Sequence, residues 1–522
     1  MIKNQKFKIN STFTNELPAD KNRENRPRQV EEACFSFVKP VIPKKPVLLH
    51  SSEVLKVELG LDNLSDDQFL ALMTGQTQFE GMESYAMCYG GHQFGNWAGQ
   101  LGDGRAINIA EIEYNNNRNV LQLKGSGPTP YSRGADGFAV LRSSIREYLM
   151  SEAMYNLGIS TTRALSLSLT GDEVLRDMLY NGNADYEKGA VVCRVAPSFI
   201  RFGNFQLLAA RGDVDNLKVL TDYTIQQFYP ELGEPNRASY LAFFQTVANQ
   251  SKEMVLNWQR VGFVHGVMNT DNMSILSQTI DYGPYGWLEN FDPGWTPNTT
   301  DAQHKRYRFG NQPSIVLWNL TQLANALYPL IEDVPALEKV LEGFRDDFQA
   351  EHLVMRLSKL GLFTMVEGDD QLMNELEKLL YRSEIDMTLF FRDLNKFDLE
   401  NRAATLDRLY EQTYMDKVHF QNFVNDWTSW INQYAERLKV EEISDTDRIE
   451  RMNKINPKYV LRNYMAQLAI DAADNGDYSI IDELFQLLKQ PYDEQPENEK
   501  WFVKRPEWAK EKIGCSMLSC SS

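Results

Sequence analysis

A chain of 522 residues, 43% hydrophobic and 24% charged, can bury a large core and is too balanced in composition for a disordered or fibrous protein. Its formal charge of −18 excludes a surface that coats nucleic acid but leaves room for a local basic pocket. Five scattered cysteines, at 34, 88, 193, 515 and 520, lack CxxC or zinc-ligand spacing, which excludes a disulfide framework and fits a reducing compartment. Neither a signal peptide nor a transit peptide is evident at Met1–Leu17, and the longest charge-free stretch, 311–331, carries several amides and Pro329. A cytoplasmic protein with no membrane or nucleic-acid partner is expected, as a monomer.

In chain order, residues 1–80 are polar and irregular, with the proline-spaced run Pro40-Val-Ile-Pro43-Lys-Lys-Pro46, and read as an extended strap. Between 81 and 235 glycine-rich segments alternate with short β-like runs. Ala106–Ile112 and Val120–Leu123 flank a turn at Asn115–Asn117 and predict a hairpin. The apolar spacing of Leu141, Ile145, Tyr148 and Leu149 predicts a helix over 138–157, and a further strand is expected at Ala190–Val195 after a polar loop. From 236 to 490 the pattern becomes long amphipathic helices, at 238–261, 315–327, 337–360 and 417–437. Residues 491–522 turn polar again and read as a mobile tail. The expected class is α+β, a small mixed lobe followed by a large helical lobe.

Several residues carry candidate chemistry. Gly99-Gln-Leu-Gly102-Asp-Gly104-Arg105 has P-loop glycine spacing but lacks the Lys-Ser/Thr that phosphate and magnesium require, and it leads into a strand. A strand, glycine turn and strand is instead the arrangement of a phosphate-covering flap, or an ordinary glycine turn. Lys124 ends the next strand and Glu147 lies in the following helix, the element types that hold a phosphate-gripping lysine and its positioning carboxylate in kinases, although both also suit a solvated surface.

Farther on, Val264-His265-Gly-Val-Met-Asn-Thr-Asp271-Asn272 is followed by Asp281-Tyr-Gly283. Measured from His265, Asn272 sits where a kinase catalytic loop has its metal-binding asparagine. The carboxylate, however, stands at 271, where it can accept a proton from a hydroxyl. Asp281 and Asn272 supply the hard oxygen ligands that Mg²⁺ or Mn²⁺ prefers. Arg194 and Arg201, in apolar company, require an anion, either a polyphosphate or a structural carboxylate. His92 reads as a hydrogen-bonded structural residue, and the six histidines show no metal-ligand spacing.

Four strings, Tyr85 to Arg105, Leu123 to Gly137, Val264 to Asn272 and Asp281 to Gly283, closely resemble the selenoprotein O (SelO, YdiU) family, densely from about 80 to 330 and more weakly over nearly the whole chain. The resemblance implies a two-lobed protein-kinase-like fold that transfers AMP from ATP to Ser, Thr or Tyr hydroxyls of acceptor proteins, releasing pyrophosphate, with the nucleotide inverted relative to kinases. It further implies ATP contacts from Gly102, Gly104, Arg105, Lys124, Asp136, Gly137, Arg194, Arg201 and Asp281, with Glu147 positioning Lys124. Asp271 would accept the proton, Asn272 and Asp281 would hold Mg²⁺ or Mn²⁺, and Cys520, third from the C-terminus where some members carry selenocysteine, would have a redox role. A phosphotransferase with the same site, or a nucleotide-binding protein without turnover that regulates a partner, remain the alternatives.

Overall fold

The computed structural model describes residues 6–178, 182–515 and 517–519. Its N-terminal part is organised by a nine-stranded sheet whose main path runs Phe35–Phe37, Tyr85–Met87, Ala106–Tyr114, Asn117–Lys124, Asp185–Ala196, Arg163–Arg176 and Val47–Ser51. Every pairing along this path is antiparallel. At the centre is the expected hairpin, closed by only Asn115 and Asn116, both with positive φ, the backbone that a two-residue turn matching the strand twist demands. Register then carries the hairpin's end inward: Lys124 lies opposite both Ala106 and Val192, with Arg194 opposite Gln122.

The helix forms over Leu141–Asn156, and apart from its last turn nearly every residue is buried, including Arg146 and Glu147. Such a helix must be covered on all sides. The two strands Arg163–Arg176 and Asp185–Ala196 cover one side, and the helices Asn463–Asp474 and Ser479–Leu487 the other. One hydrophobic cluster accordingly runs from Phe13 through Tyr148 and Trp258 to Leu487.

Several expectations are corrected. The first 80 residues are not merely a strap: Phe35–Phe37 and Val47–Ser51 are strands of the sheet, capped helices form at Glu53–Glu58 and Asp66–Met73, and Phe13 stacks on Tyr85 at 5.1 Å. The proline run is extended, but the strands beside it find partners more than a hundred residues away or across a loop, which local pattern does not reveal. The stretch read as a polar loop before Ala190 contains the 14-residue strand Arg163–Arg176, whose alternation is interrupted by the irregularity between Leu169 and Glu173. The end of the chain is docked over its described residues: Thr299 N donates to Leu518 O (2.8 Å), Asn463 Nδ2 donates to Cys515 O (2.7 Å), and Cys515 is buried. Cys520 lies outside the described residues.

In the helical part, Asn236 caps Arg237–Val261, which Gly262 ends in the left-handed conformation. Against it pack Gln312–Ile331 and Val334–Lys359. The segment 417–437 is not one helix but Lys417–Phe420 and Val424–Leu438 joined by a 3₁₀ turn. Between Phe263–Val264 and its partner Gly286–Trp287 the chain makes the long loop that holds Asp271, Asn272 and Asp281. No described helix is long and apolar enough to cross a membrane.

Candidate active site

The loop is fixed from both parts of the molecule. Thr162 N donates to Thr279 O (3.1 Å) and Thr279 N to Ser160 O (2.8 Å), so the approach to Asp281 is paired with the segment entering the sheet. Phe202 N donates to Met273 O (2.9 Å) and Ile275 N to Ile200 O (3.0 Å), which ties Arg201 to the loop just past Asn272. His265 Nε2 meets Ile280 O at 2.9 Å, spanning the loop's two arms.

These attachments gather six ionic side chains. Lys124 Nζ is 2.5 Å from Glu147 Oε2 and 3.9 Å from Asp281 Oδ1. Arg194 reaches Glu147 (3.0 Å), Asp281 Oδ1 (2.6 Å) and the amide oxygen of Gln122. Arg201 donates to Asp281 Oδ2 and to Asp271 O (2.7 Å), and stands 3.7 Å from Asp103. The anion that the two arginines required is thus, in this structure, a pair of carboxylates. Burial alone would raise the Asp281 pKa, yet Arg201, Arg194 and Lys124 together hold it well below the usual carboxylate range. Burial lowers the pKa of Lys124, with Glu147 opposing that fall. Asp281 sits at φ 61°, an uncommon conformation for a non-glycine residue, steadied by Gly283 N donating to Asp281 O (2.8 Å).

Asp271 is the contrasting carboxylate. Burial pushes its pKa up to about 6 against a hydrogen bond from Gln93 and the charge of Arg201. Gln93 Nε2 donates to Oδ2 (3.2 Å), while Oδ1 has no hydrogen-bond partner among the described residues. Asn272 Nδ2 donates to Val267 O (2.9 Å), committing its amide nitrogen and leaving Oδ1 as a hard donor. Among the described residues no three His, Cys, Asp or Glu side chains form a metal cage by themselves.

A short ribbon, Gly90–Gln93 paired with Asn96–Gln100, covers this loop, and it is here that sequence reasoning missed most. His92 N donates to Thr270 Oγ1 (2.7 Å), and Phe94 N to Asn269 Oδ1 (3.1 Å) and Tyr307 OH (3.0 Å). A Cβ at Gly91 would lie 2.7 Å from Asp271 Oδ1, so only glycine allows the approach. The Gly90-Gly91 pair was the available signal. The ring of His92 sits between Trp97 and Trp318 and is half-buried. Asp103 and Gln122, which brace the arginines, gave no signal beyond their positions near glycines and in a strand.

The other expected residues lie around this centre. The strand Asn96–Gln100 belongs to the ribbon and Ala106–Tyr114 to the main sheet, so the glycine turn links two sheets and is not the tip of a hairpin. Gly102 and Gly104 are pressed on Tyr131, where a Cβ at Gly102 would fall 2.5 Å from the ring. Arg105 is half-buried and forms no ion pair among the described residues, although its charge acts on Lys124. Gly137 O accepts from Gly127 N (3.1 Å), closing the loop after Lys124, and Asp136 is held by Arg176 (2.7 Å) at the loop's outer side.

The family model described as "Protein adenylyltransferase SelO" matches residues 20–489. The chain belongs to the SelO family. It is 58% identical to "Protein nucleotidyltransferase YdiU" of Flavobacterium johnsoniae, over 99% of each chain. It is 52% identical to the protein of that name from Azoarcus sp. and 50% to that from Rhodopirellula baltica, each over 98% of this chain and 99% of the relative. This SelO protein is accordingly an enzyme of the nucleotidyltransferase class.

Proposed function

We propose that the protein transfers AMP from ATP to Ser, Thr or Tyr hydroxyls of acceptor proteins, on a two-lobed protein-kinase-like fold. The observation that carries this reading is the side-by-side placement of two differently tuned carboxylates. Asp281 stays ionised among three cations, and Asp271, linked to it through Arg201, titrates near 6. A group that must take a proton in the reaction works best with a pKa near the working pH. Lys124, Arg194, Arg201 and Arg105 supply the positive charge a triphosphate needs, with Glu147 setting the lysine. Gly102, Gly104, Asp136 and Gly137 would shape the nucleotide's surroundings.

Asp281 and Asn272 offer one carboxylate and one amide oxygen, a donor set suited to a hard divalent ion that keeps waters and phosphate oxygens as its remaining ligands. Mg²⁺ or Mn²⁺ bound there would neutralise charge on the phosphates. Asp271 accepts the proton of the acceptor hydroxyl as its oxygen bonds to the α-phosphorus and the bond to pyrophosphate breaks. Arg201 keeps its hold on the Asp271 backbone throughout. A cytoplasmic monomer and a redox role for Cys520 belong to this reading as well.

The test is label position. Protein and acceptor extract are incubated with Mg²⁺ or Mn²⁺ and ATP labelled at the α- or the γ-phosphate, beside Asp281→Ala and a chelator control, with intact mass recorded. Incorporation of α-label alone, with a mass gain of one AMP, is expected. Label from the γ-position would make the protein a phosphotransferase.

A further inference from the structure

Away from this centre, in the helical part, lies a cleft of about 380 Å³. It opens between the helices Arg237–Val261, Gln312–Ile331, Val334–Lys359 and Asp369–Arg382, within the size range of small-ligand sites. Its walls include the aromatic and thioether side chains Phe348, Met373 and Phe391. Among the side chains that the helix Val334–Lys359 contributes are His352, Arg356 and Lys359. His352 stacks on Phe348 at 5.2 Å, and burial, then Arg356, lower its pKa to about 4, so the ring is neutral. Arg356 is paired with Glu377 at 3.2 Å, yet its Nε is buried with no hydrogen-bond partner among the described residues.

Lys359 is the unusual one. It is only 4% exposed and makes no ion pair among the described residues. Its ammonium donates to Arg260 O in the last turn of Arg237–Val261, a favourable place for a cation, and lies 4.1 Å from the centroid of Phe391. One carbonyl and one ring face do not replace a counter-charge for a group with three donors, and burial together with Arg260 lowers its pKa well below the usual range. The Glu377 carboxylate is already engaged by Arg356, so the cleft lining offers no free acidic side chain to Lys359 among the described residues.

We propose that this cleft binds an organic monocarboxylate with an apolar body, its head group on Lys359 and its hydrocarbon against Phe348, Met373 and Phe391. A bound carboxylate supplies the counter-charge that favours the ammonium form of Lys359 and accepts a hydrogen bond from it, in a wall that Arg356 also lines. The hydrocarbon gains from leaving water, so neither half of the ligand suffices alone. Binding there can be measured without nucleotide transfer.

Calorimetric titration of the full-length protein with octanoate, octan-1-ol and acetate tests it. Octanoate should bind one to one, about tenfold or more tighter than octanol, with acetate weaker than about 1 mM. Lys359→Met should bring octanoate and octanol within about threefold of each other. Because that variant alters a buried position, Ser314→Trp on the exposed rim of the cleft provides a second reading and should weaken octanoate about tenfold or more without changing the circular dichroism. The proposal is overturned if octanol binds wild type as tightly as octanoate, if octanoate binds only above about 1 mM, or if Ser314→Trp leaves octanoate affinity unchanged.

Discussion

Two buried ionic clusters in this molecule have opposite characters. Around Arg462 one guanidinium grips Asp386 through two bonds (2.7 and 2.9 Å) and also bonds Glu289, Tyr414 OH donates to Asp386 (2.9 Å), and Asp386 caps the next helix through Leu389 N (3.0 Å). Both Asp386 oxygens accept two bonds each and its side chain is fully buried, as a cluster that fixes helices together requires. Around Asp281 three cations meet two close carboxylates, the backbone is strained, Asp281 is partly exposed, and Asp271 Oδ1 and the Arg194 and Arg201 Nε atoms have no hydrogen-bond partner among the described residues. The difference separates a cluster whose central carboxylate is satisfied from within the protein from the one proposed to bind the nucleotide, which leaves charge and hydrogen-bonding capacity for a visitor.

The contrast can be broken most strongly at Asp281. Asp281→Ala should lower α-label transfer by about 10³-fold or more while the protein melts as a folded molecule, because Arg194 keeps Glu147. The matching change in the other cluster, Asp386→Ala, should cost about 3–5 kcal/mol of stability in chemical denaturation and leave transfer per folded molecule intact. Equal loss of activity in both variants would erase the distinction.

Asp271→Asn should reduce the rate about 10²-fold with little change in nucleotide affinity, measured by single-turnover kinetics beside equilibrium binding. Wild-type rate should rise with pH through about 6 and level off above it, since the working form is the carboxylate, and the variant should lack this limb. The stability consequence has the reverse sense. A carboxyl whose folded pKa is raised from 3.8 to about 6 stabilises fully below 3.8 and loses that contribution as pH rises to about 6. Asp271→Asn should therefore gain stability relative to wild type between pH 4 and 7, a trend thermal melts across pH will register. Gly91→Ala, which pushes the ribbon off Asp271, should cost about tenfold in rate with the fold retained. The smallest effect is expected at Asp136, where loss of charge should raise the ATP KM about threefold and spare kcat, because the side chain is spent on Arg176 at the periphery.

Much of this centre could be read from residues close in sequence. The two-asparagine turn, the lysine at a strand end, the glutamate in a buried helix and the Asp-Asn and Asp-Tyr-Gly strings each sit in a local pattern, and the sheet and helices place them as neighbours. What escaped depends on contacts between distant segments. The strand Arg163–Arg176 lost its periodicity at an irregular step, and Val47–Ser51 became recognisable only beside it. The tie from Gln93 to Asp271 joins residues 178 apart, and no spacing rule reports such a contact. The helix expected over 417–437 fails at a 3₁₀ turn within a pattern that stays amphipathic across it.

The pairing of residues 160–162 with Thr279 has a kinetic meaning too. These bonds stitch the entrance of the sheet to the arm that presents Asp281, so the two halves of the molecule cannot part there without giving up backbone hydrogen bonds. Under the proposed function, an opening that admits a nucleotide keeps these bonds only by pivoting about them, and the amide protons of Thr162 and Thr279 become internal clocks for it. If they exchange with solvent as slowly in the presence of ATP as in its absence, the hinge stays sewn throughout the cycle.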